Sequence, residues 1–310
     1  MITDLKTIGS EATAQLVSDR WNGLQKLRNR LGDKNIDYQN LGGFELIRPH
    51  EIECLEEIST INSILHPIFK QQVYKENQEL IQEFGFNADL VKTIIYNPLE
   101  GQLDTGKMMK NLLELAQSLK IDIYTGSEVI EVTDTDSVVK IDVNSRFYNK
   151  NITFQATGVA VCTNAFTEKI IKNIELKAGR GLVLATEPIP DLKIKGAFHF
   201  QEGFYYFRNF ENRIIFGGGR NLDLEKETST EFLVNEKILD ILDQYLQEII
   251  IPGKTYSIAH LWTGIMAFGD TKQPVIKKIS DRVVAGVRLG GMGVAIGSLV
   301  GEQVANLLVE

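Results

Sequence analysis

The chain has 310 residues, of which 43% are hydrophobic and 24% are charged, a composition typical of a globular protein with one or two domains. Its net charge of −8 and isoelectric point near 5.2 argue against nucleic acid or an anionic membrane as a partner. No uncharged apolar run reaches the roughly 18 residues of a membrane span, and the N-terminus lacks the apolar stretch of a signal peptide. Two distant cysteines and four scattered histidines show no metal spacing. We therefore expect a cytoplasmic protein with reduced thiols, and the sequence does not predict its oligomeric state.

The first part of the chain is predicted to be mostly helical. Residues 10–31 carry apolar side chains at helical spacing, with Ser10 as a cap and Gly32 as a stop signal. The apolar face of this helix comprises Leu16, Val17, Trp21, Leu24 and Leu27. A turn with a short strand and two more helices follow, at 41–48, 51–65 and 67–84.

An α/β pattern with an inserted β-meander is predicted for residues 93–163. Asp104 is positioned to cap a helix over 106–119. The inward face of that helix is predicted to comprise Met109, Leu112, Leu113 and Ala116. Strands are predicted at 93–96, 121–124, 128–132, 138–143, 147–154 and 158–163. The last of them ends in Thr163-Asn164.

The pattern changes after Arg180, where short aromatic strands alternate with turns. These segments favour a mostly antiparallel sheet, with strands at 182–186, 197–201, 204–209 and 213–217. An amphipathic helix over 229–248 and a long strand over 255–266 complete this region. The fold class is therefore mixed α/β, with one α/β unit interrupted by a β-rich insertion.

The C-terminus reads as strand, glycine turn and helix. A β-branched run at 283–287 is followed by Gly290, Gly291 and Gly293, and then by apolar residues at helical spacing. Such a turn lets backbone N–H groups at a helix start approach an anionic or polar ligand closely. Because no second strand follows the helix, the turn is predicted to hold a part of a nucleotide cofactor other than its pyrophosphate. The alternative is close packing of a terminal helix on a sheet.

An ordered series of short motifs resembles the D-amino-acid-oxidase-like family of FAD-dependent oxidoreductases, which includes glycine oxidase and sarcosine oxidase-like enzymes. The motifs are Asn97-Pro-Leu-Glu-Gly-Gln-Leu-Asp-Thr-Gly106, Gly126-Ser-Glu-Val-Ile-Glu131, Cys162-Thr-Asn-Ala165, Gly179-Arg-Gly-Leu-Val-Leu-Ala-Thr-Glu-Pro188, Trp262-Thr-Gly-Ile265, Gln273-Pro-Val-Ile276 and the glycine turn. Each motif is weak by itself, and the ordered set covers residues from about 90 to 310.

The resemblance implies a flavoprotein that binds FAD and a small-molecule substrate. An FAD-binding Rossmann-like domain would comprise residues 95–180 and 275–310, and a substrate domain with an antiparallel sheet would comprise 1–94 and 181–274. Val129 would lie by the adenine through its backbone, and Thr163 and Asn164 would lie near the cofactor at a strand's carboxyl end. The N–H groups of the turn would face the flavin pyrimidine edge. The residues of the turn are Leu289, Gly290, Gly291, Met292, Gly293 and Val294.

The sequence departs from the family pattern in three respects. It lacks the initial strand–helix–strand unit with Gly-x-Gly-x-x-Gly that holds the ADP half of FAD, which predicts an incomplete FAD-binding domain and suggests a truncated chain. Many relatives have an arginine and a proline four and five residues after the tryptophan, where this chain has Met266 and Ala267. A thioether cannot pair with a substrate carboxylate as that arginine does. A histidine common in the C-terminal turn is Gly290 here.

The candidate substrate residues are assigned by strand alternation and by proximity to glycine-rich turns. Tyr206, which shares a strand face with Arg208, is favoured over Tyr205. The other candidates are Arg220, His260, Trp262 and Arg288, and the resemblance adds Met266, which stands where many relatives have the arginine. For the tyrosines, arginines, His260 and Trp262, packing or a surface ion pair is an alternative role, and no catalytic acid or base is assigned. Hydride transfer to flavin needs orientation and electrostatics more than a strong acid or base.

Three functions are consistent with these observations. The first is an FAD-dependent oxidoreductase that passes a hydride from a small amine, amino acid or hydroxy acid to flavin N5. The second is a non-catalytic flavoprotein remnant that does not bind FAD tightly, as the missing fingerprint suggests. The third, an NAD(P)-binding enzyme, is disfavoured because no strand follows the C-terminal turn.

Overall fold

The computed structural model describes residues 1–145 and 150–310, and it is a mixed α/β fold rich in antiparallel strands, as the sequence predicts. Its α-helices are α1 (Ile2–Leu31), α2 (Ile58–Phe69), α3 (Glu79–Phe84), α4 (Thr105–Ser118), α5 (Leu224–Glu227), α6 (Glu236–Tyr245) and α7 (Gly293–Val309). The first seven strands are β1 (Gly43–Ile47), β2 (Lys75–Glu76), β3 (Thr93–Asn97), β4 (Ser127–Asp134), β5 (Val139–Ser145), β6 (Lys150–Ala156) and β7 (Val159–Val161). The others are β8 (Lys177–Thr186), β9 (Ala197–Phe200), β10 (Tyr205–Phe210), β11 (Arg213–Gly218), β12 (Ile258–Phe268), β13 (Val275–Lys278) and β14 (Val283–Val287).

The chain forms two compact units, and each consists of three separate segments. The first comprises Met1–Ala14, Tyr38–Leu103 and Arg180–Ile265. The second comprises Gln15–Asp37, Asp104–Gly179 and Met266–Glu310. The assignment of an FAD-binding and a substrate domain stays a prediction.

An eight-stranded sheet organises the first unit, in the order β12-β8-β11-β10-β9-β1-β3-β2. The described pairings are antiparallel except that between β1 and β9, which is parallel. On one face an aromatic stack forms the core, with the rings of Phe44 and Phe207 each centred 4.7 Å from that of Phe198. Apolar side chains of α3 and α6 pack into this core, so the opposite face of the sheet is the one left for polar residues.

Two three-stranded sheets organise the second unit, in the orders β13-β14-β7 and β4-β5-β6. In the first sheet β14 is parallel to β7, and α7 packs on it through Ile296, Val300 and Val304. The two sheets are joined by the Asp134 carboxylate, which accepts a 2.6 Å hydrogen bond from the hydroxyl of Ser280. The predicted strand at 147–154 is seen from Lys150 onward, and its first residues lie outside the described ranges.

The prediction of a single helix over residues 67–84 is wrong. Helix α2 continues to Phe69 and stops where Lys70 adopts a left-handed conformation with φ of 55°. The Asn62 amide then holds the chain extended, because its Oδ1 accepts the N–H groups of Val73 and Tyr74, each at 2.9 Å. Its Nδ2 donates to the Tyr74 carbonyl at 2.8 Å. One side chain thus offers this segment hydrogen bonds that compete with the helix.

Replacing Asn62 with alanine should lower the free energy of unfolding by about 1–3 kcal/mol, since two backbone N–H groups lose their acceptor. Val73 is only 2% exposed, so water cannot readily replace the amide there. Equilibrium urea unfolding measures the loss. Asn62→Asp is the control that keeps an acceptor for both N–H groups and loses the Nδ2 donor to the Tyr74 carbonyl, so it should be destabilised less than Asn62→Ala only if the acceptor is the more important part. Equal stability of the wild type and Asn62→Ala would contradict this account of the bend.

The buried face of α4 is also not the predicted one. Met109 and Leu113 are 59% and 44% exposed, whereas Met108 is buried. The predicted strand at 121–124 is also wrong, because these residues form no strand with any described residue, and Ile121 is 54% exposed. Helical periodicity identifies apolar stripes, but it does not say which stripe a neighbour covers.

Candidate functional site

The carboxyl ends of β7 and β14 form one edge of a sheet. The two strands are parallel, with Val159 opposite Val283 and Val161 opposite Ala285, so the residues that follow each strand meet. Asn164 follows β7, and its side-chain oxygen accepts hydrogen bonds from the N–H groups of Arg288 and Leu289 at 3.0 and 3.2 Å. The structure therefore brings Asn164, predicted from one motif, into contact with the C-terminal turn, predicted from another.

The turn between β14 and α7 depends on glycine. Gly290 and Gly291 have φ of 58° and 78°, a region that side chains with a Cβ disfavour. The Gly290 N–H donates to the carbonyl of Ala267 at 3.0 Å, and the Met292 N–H donates to the carbonyl of Leu289 at 2.8 Å. Asn164 and Arg288 also have positive φ, of 46° and 65°. Non-glycine residues in this conformation are uncommon and concentrate at functional sites.

Three backbone N–H groups at this turn have no acceptor among the described residues, namely those of Gly291, Gly293 and Val294. They stand at the start of a 17-residue helix, where the helix dipole leaves partial positive charge. Gly291 and Val294 are exposed. Such donors suit a ligand edge that carries carbonyl oxygens or negative charge, and the pyrimidine edge of a reduced flavin has both.

Arg288 supports the turn from within the protein. It is 7% exposed, and its guanidinium donates to the carbonyls of Gln273 and Glu175, each at 3.0 Å, and to the Thr271 hydroxyl at 3.3 Å. The Glu175 carboxylate lies 3.8 Å away but is 73% exposed, so this ion pair is weak. These hydrogen bonds tie two loops to Arg288, two positions before Gly290, and a role of Arg288 toward substrate stays a prediction.

Met266 lies against the turn. A Cβ built on Gly291 would be 3.4 Å from the Met266 sulfur, which is ordinary contact distance or slightly less. The next residue, Ala267, accepts the Gly290 N–H through its carbonyl. The end of β12 therefore presents an apolar thioether beside the open N–H groups rather than a cation.

Gly291 and Gly297 should respond in opposite directions to alanine. Gly291→Ala should destabilise the fold by about 1–2 kcal/mol, because alanine is strained at positive φ and its methyl group meets Met266. Gly297 lies inside α7 with open space around it, so Gly297→Ala should stabilise the fold by about 0.5–1 kcal/mol. Thermal and urea unfolding of both variants measures the difference. A loss of stability from Gly297→Ala as large as that from Gly291→Ala would contradict the described turn.

No contact among the described residues joins the other predicted site residues to the turn. On β12, alternation places His260 and Trp262 on the same strand face as Met266, and Trp262 is 43% exposed. Tyr206 is 39% exposed, whereas Tyr205 is fully buried in the aromatic core. The roles of these side chains stay predictions.

Arg220 and Val129 occupy distinctive backbone positions. Arg220 follows Gly219, whose φ is 77°, and burial lowers the pKa of its guanidinium, with the charge of Glu227 acting in the opposite direction. Val129 pairs with Val143 just before a β-bulge in β4. The hydroxyl groups of Thr163 and Thr167 are hydrogen-bonded to each other at 3.0 Å. Their proposed ligand contacts stay predictions.

Sequence reasoning missed two polar residues on the sheet face that carries Tyr206. His199 and Glu45 lie in register with it, and the His199 Nδ1 is 3.9 Å from a Glu45 carboxylate oxygen. Strand alternation can assign each residue to a face, but only the pairing register shows that they are neighbours. Within residues 1–145 and 150–310, no group of three or more histidine, cysteine or acidic side chains is arranged to hold a metal. No helix in those ranges is both long and apolar enough to cross a bilayer.

Comparison with known proteins gives one family and a set of similar folds. The model of the DAO family, described as FAD dependent oxidoreductase, matches residues 5–307. Among curated proteins none matches the chain.

The solved structures with a similar fold include several oxidoreductases. L-proline dehydrogenase from P. horikoshii has a TM-score of 0.77 and 18% identity, over 94% of this chain and 78% of that one. Glycine oxidase from Geobacillus kaustophilus has a TM-score of 0.76 and 17% identity, over 98% and 80%. Iminodiacetate oxidase from Chelativorans sp. BNC1 has a TM-score of 0.77 and 16% identity, over 96% and 80%.

Proposed function

Because the chain belongs to the DAO family of FAD-dependent oxidoreductases, we propose that it oxidises a small amine or amino acid by hydride transfer to FAD. The observation that carries this proposal is the glycine turn, which offers open N–H groups at a helix start beside the carboxyl end of a parallel strand pair. The open N–H groups and the partial positive charge of the helix start both favour a ligand with an electron-rich planar edge.

The residues around the turn fit the flavin part of the cofactor. The N–H groups of Gly291, Gly293 and Val294 would donate to the pyrimidine edge, and Asn164 would hold the turn in place for them. Leu289, Gly290 and Met292 would complete the contact surface, and Thr163 would lie at its edge. When bound, the flavin accepts a hydride at its N5 atom. The open N–H groups would stabilise the negative charge that this transfer creates.

Other proposed cofactor contacts lie further from the turn. We place the adenine against the backbone of Val129, where the bulge in β4 interrupts regular pairing. The proposed FAD-binding domain comprises 95–180 and 275–310, and the proposed substrate domain comprises 1–94 and 181–274. Tyr206, His260 and Trp262 are the proposed substrate contacts, and Arg288 is proposed to add positive charge near the turn.

The Met266 thioether sets a condition on the substrate. It cannot form a bidentate pair with a carboxylate, so an amino-acid carboxylate would need another cation, for which we propose Arg220. The similar structures are of enzymes named for L-proline, glycine and iminodiacetate, which share a carbon–nitrogen bond. This shared chemistry favours an amine or amino acid over a hydroxy acid.

A second function rests on a different observation. The sequence has no Gly-x-Gly-x-x-Gly turn between a strand and a helix, so the pyrophosphate of FAD has no helix start of the usual kind. Apolar residues of α4 and of 121–124 are also exposed. The missing glycine motif and the exposed apolar residues are both expected of a flavoprotein remnant that does not bind FAD tightly.

Flavin titration of the purified chain separates the two proposals. We expect residues 1–310 to retain FAD through gel filtration, with visible flavin absorbance. We then expect the absorbance to bleach anaerobically with at least one of glycine, L-proline and iminodiacetate. Failure to retain FAD would favour the remnant. Retention of FAD with bleaching by lactate but by no amine would contradict the proposed substrate class.

A further inference from the structure

A cavity of about 550 Å³ lies beside the aromatic core of the first compact unit, and every residue that lines it belongs to that unit. Its apolar lining comes from β1, β3, α3 and the segments next to them, and comprises Leu41, Phe44, Leu80, Phe84, Tyr96 and Leu192. The polar lining comprises Asn77, Glu83, Lys193 and Lys195. This volume is in the range of sites that bind small organic molecules.

The apolar part of the cavity lies at the outer end of a row of aromatic rings. Phe198, Phe44 and Tyr96 pair directly across β9, β1 and β3. The ring of Phe44 is stacked on both neighbours, with centroids 4.7 Å from Phe198 and 5.2 Å from Tyr96. Phe198 is 2% exposed, whereas Tyr96 is half-buried, and the residue opposite it on β2 is Lys75 rather than another ring. A flat apolar ligand in the cavity would therefore meet the last ring of the row, where stacked or edge-on contacts are favourable.

Two lysines stand at this cavity on the segment between β8 and β9. Ile194 is 1% exposed and packs in the aromatic core, while Lys193 and Lys195 on either side of it are exposed. Gly196 follows them and lies against the core, since a Cβ built on it would be 2.7 Å from the ring of Phe44. Within the described part of the chain, neither lysine ammonium group forms an ion pair or a hydrogen bond. Both are thus available to a ligand.

The polar lining has a positive balance of charge. Lys193 and Lys195 contribute two positive charges and Glu83 contributes one negative charge, which leaves one positive charge in a chain whose net charge is −8. Glu83 is exposed on α3 and forms no ion pair with any described residue. The Asn77 Oδ1 accepts the Glu79 N–H at 2.9 Å, so the amide directs its acceptor into the protein. The lining therefore favours an anion over a cation.

We propose that this cavity binds an aromatic carboxylate, that is, a small organic acid with one or two flat rings. The rings would lie against Phe44 and Tyr96, and the carboxylate would pair with Lys193 or Lys195. A neutral aromatic ligand would leave both lysines unused, and an aromatic amine would meet a lining of net positive charge. The site lies within the first unit, and its proposal does not depend on FAD or on the proposed function.

Calorimetric titration of the purified chain with 2-naphthylacetate tests the charge requirement. The carboxylate should bind about 3- to 30-fold more tightly than 2-naphthylacetamide or 2-(2-naphthyl)ethylamine, because exposed ion pairs contribute modestly. The double variant Lys193→Gln/Lys195→Gln should weaken carboxylate binding by the same factor and leave amide binding unchanged. Lys6→Gln/Lys92→Gln is the matched control, since it removes two exposed lysines that do not line the cavity and should bind as wild type. Equal weakening in both double variants, equal binding of the amide, or no saturable binding at millimolar concentration would overturn the inference.

Nuclear magnetic resonance locates the bound rings. With ¹³C-labelled leucine methyl groups, 2-naphthylacetate should give intermolecular Overhauser effects to Leu41, Leu80 and Leu192, which line the cavity. Leucine-to-methionine variants at these three positions assign the signals. The effects should disappear when the unlabelled acid is displaced by an excess of 3-phenylpropionate, a one-ring acid of the same class. Effects confined to other leucines would place the ligand elsewhere and overturn the proposed site.

Discussion

Replacing Glu227 with glutamine should lower the free energy of unfolding by about 3–5 kcal/mol, because it leaves the Arg180 guanidinium buried without its counter-charge. The two side chains are 1% and 6% exposed, and they form a bidentate pair with both N–O distances at 2.9 Å. Two further Arg180 N–H groups donate to the carbonyls of Glu231 and Lys226 at 3.2 and 3.1 Å. Glutamine would turn an amide N–H₂ group toward one of the Arg180 N–H groups that the Glu227 carboxylate now accepts.

The pH dependence of this pair has a definite sign. Burial acts to raise the pKa of the Glu227 carboxyl, but hydrogen bonds from Arg180 and Asn235 outweigh it, so the pKa is lowered. A lowered carboxyl pKa stabilises the fold above the unfolded-state value of about 4.3, and this contribution is lost as the pH falls through the folded-state pKa. The stability difference between wild type and Glu227→Gln should therefore be largest near neutral pH and shrink in acid.

Urea unfolding at neutral and acidic pH measures both effects. Glu225→Gln is the matched control, since Glu225 is exposed on the same short helix and should change stability by less than about 0.5 kcal/mol. If Glu227→Gln and Glu225→Gln were equally stable at neutral pH, the pair would not anchor this segment. A stability difference that grew in acid would contradict the lowered pKa.

Features whose cause is local in sequence were predicted correctly. Asp104 caps α4 by accepting the Lys107 N–H at 2.9 Å, and Gly32 ends α1 with φ of 82°. Such signals need only neighbouring residues, so a single sequence contains them. The contact between Asn164 and the C-terminal turn was not predicted, because it depends on the parallel pairing of β7 with β14, which makes both strands end at a common edge.

Features that depend on distant partners were missed. Arg180 and Glu227 are 47 residues apart, and no periodicity links them. The neighbours His199 and Glu45 depend on the parallel register of β9 with β1, and a shift of one residue would move either side chain to the other face. Likewise, the sequence pattern of α4 does not reveal which apolar stripe is covered, and Met108 was overlooked for that reason. Local patterns therefore predict elements and turns, whereas packing partners require the structure.

Replacing Asn164 with glycine should weaken FAD binding about 5- to 150-fold. This change corresponds to about 1–3 kcal/mol, the cost expected when backbone N–H groups lose their acceptor. The Asn164 oxygen accepts the N–H groups of Arg288 and Leu289, so it holds the residues from which the glycine turn departs. Glycine tolerates the φ of 46° at this position, and the substitution therefore removes the acceptor without adding backbone strain. FAD titration by fluorescence quenching measures the change in affinity.

Asn164→Asp is the matched control, because it keeps acceptor oxygens at the same position and tolerates positive φ nearly as well. A readout that does not depend on FAD is amide hydrogen exchange at Arg288 and Leu289, which should accelerate in Asn164→Gly and stay slow in Asn164→Asp. If exchange accelerated while FAD affinity stayed at the wild-type value, Asn164 would order the turn but the turn would not bind the flavin. The proposed cofactor site therefore stands only if exchange and affinity change together.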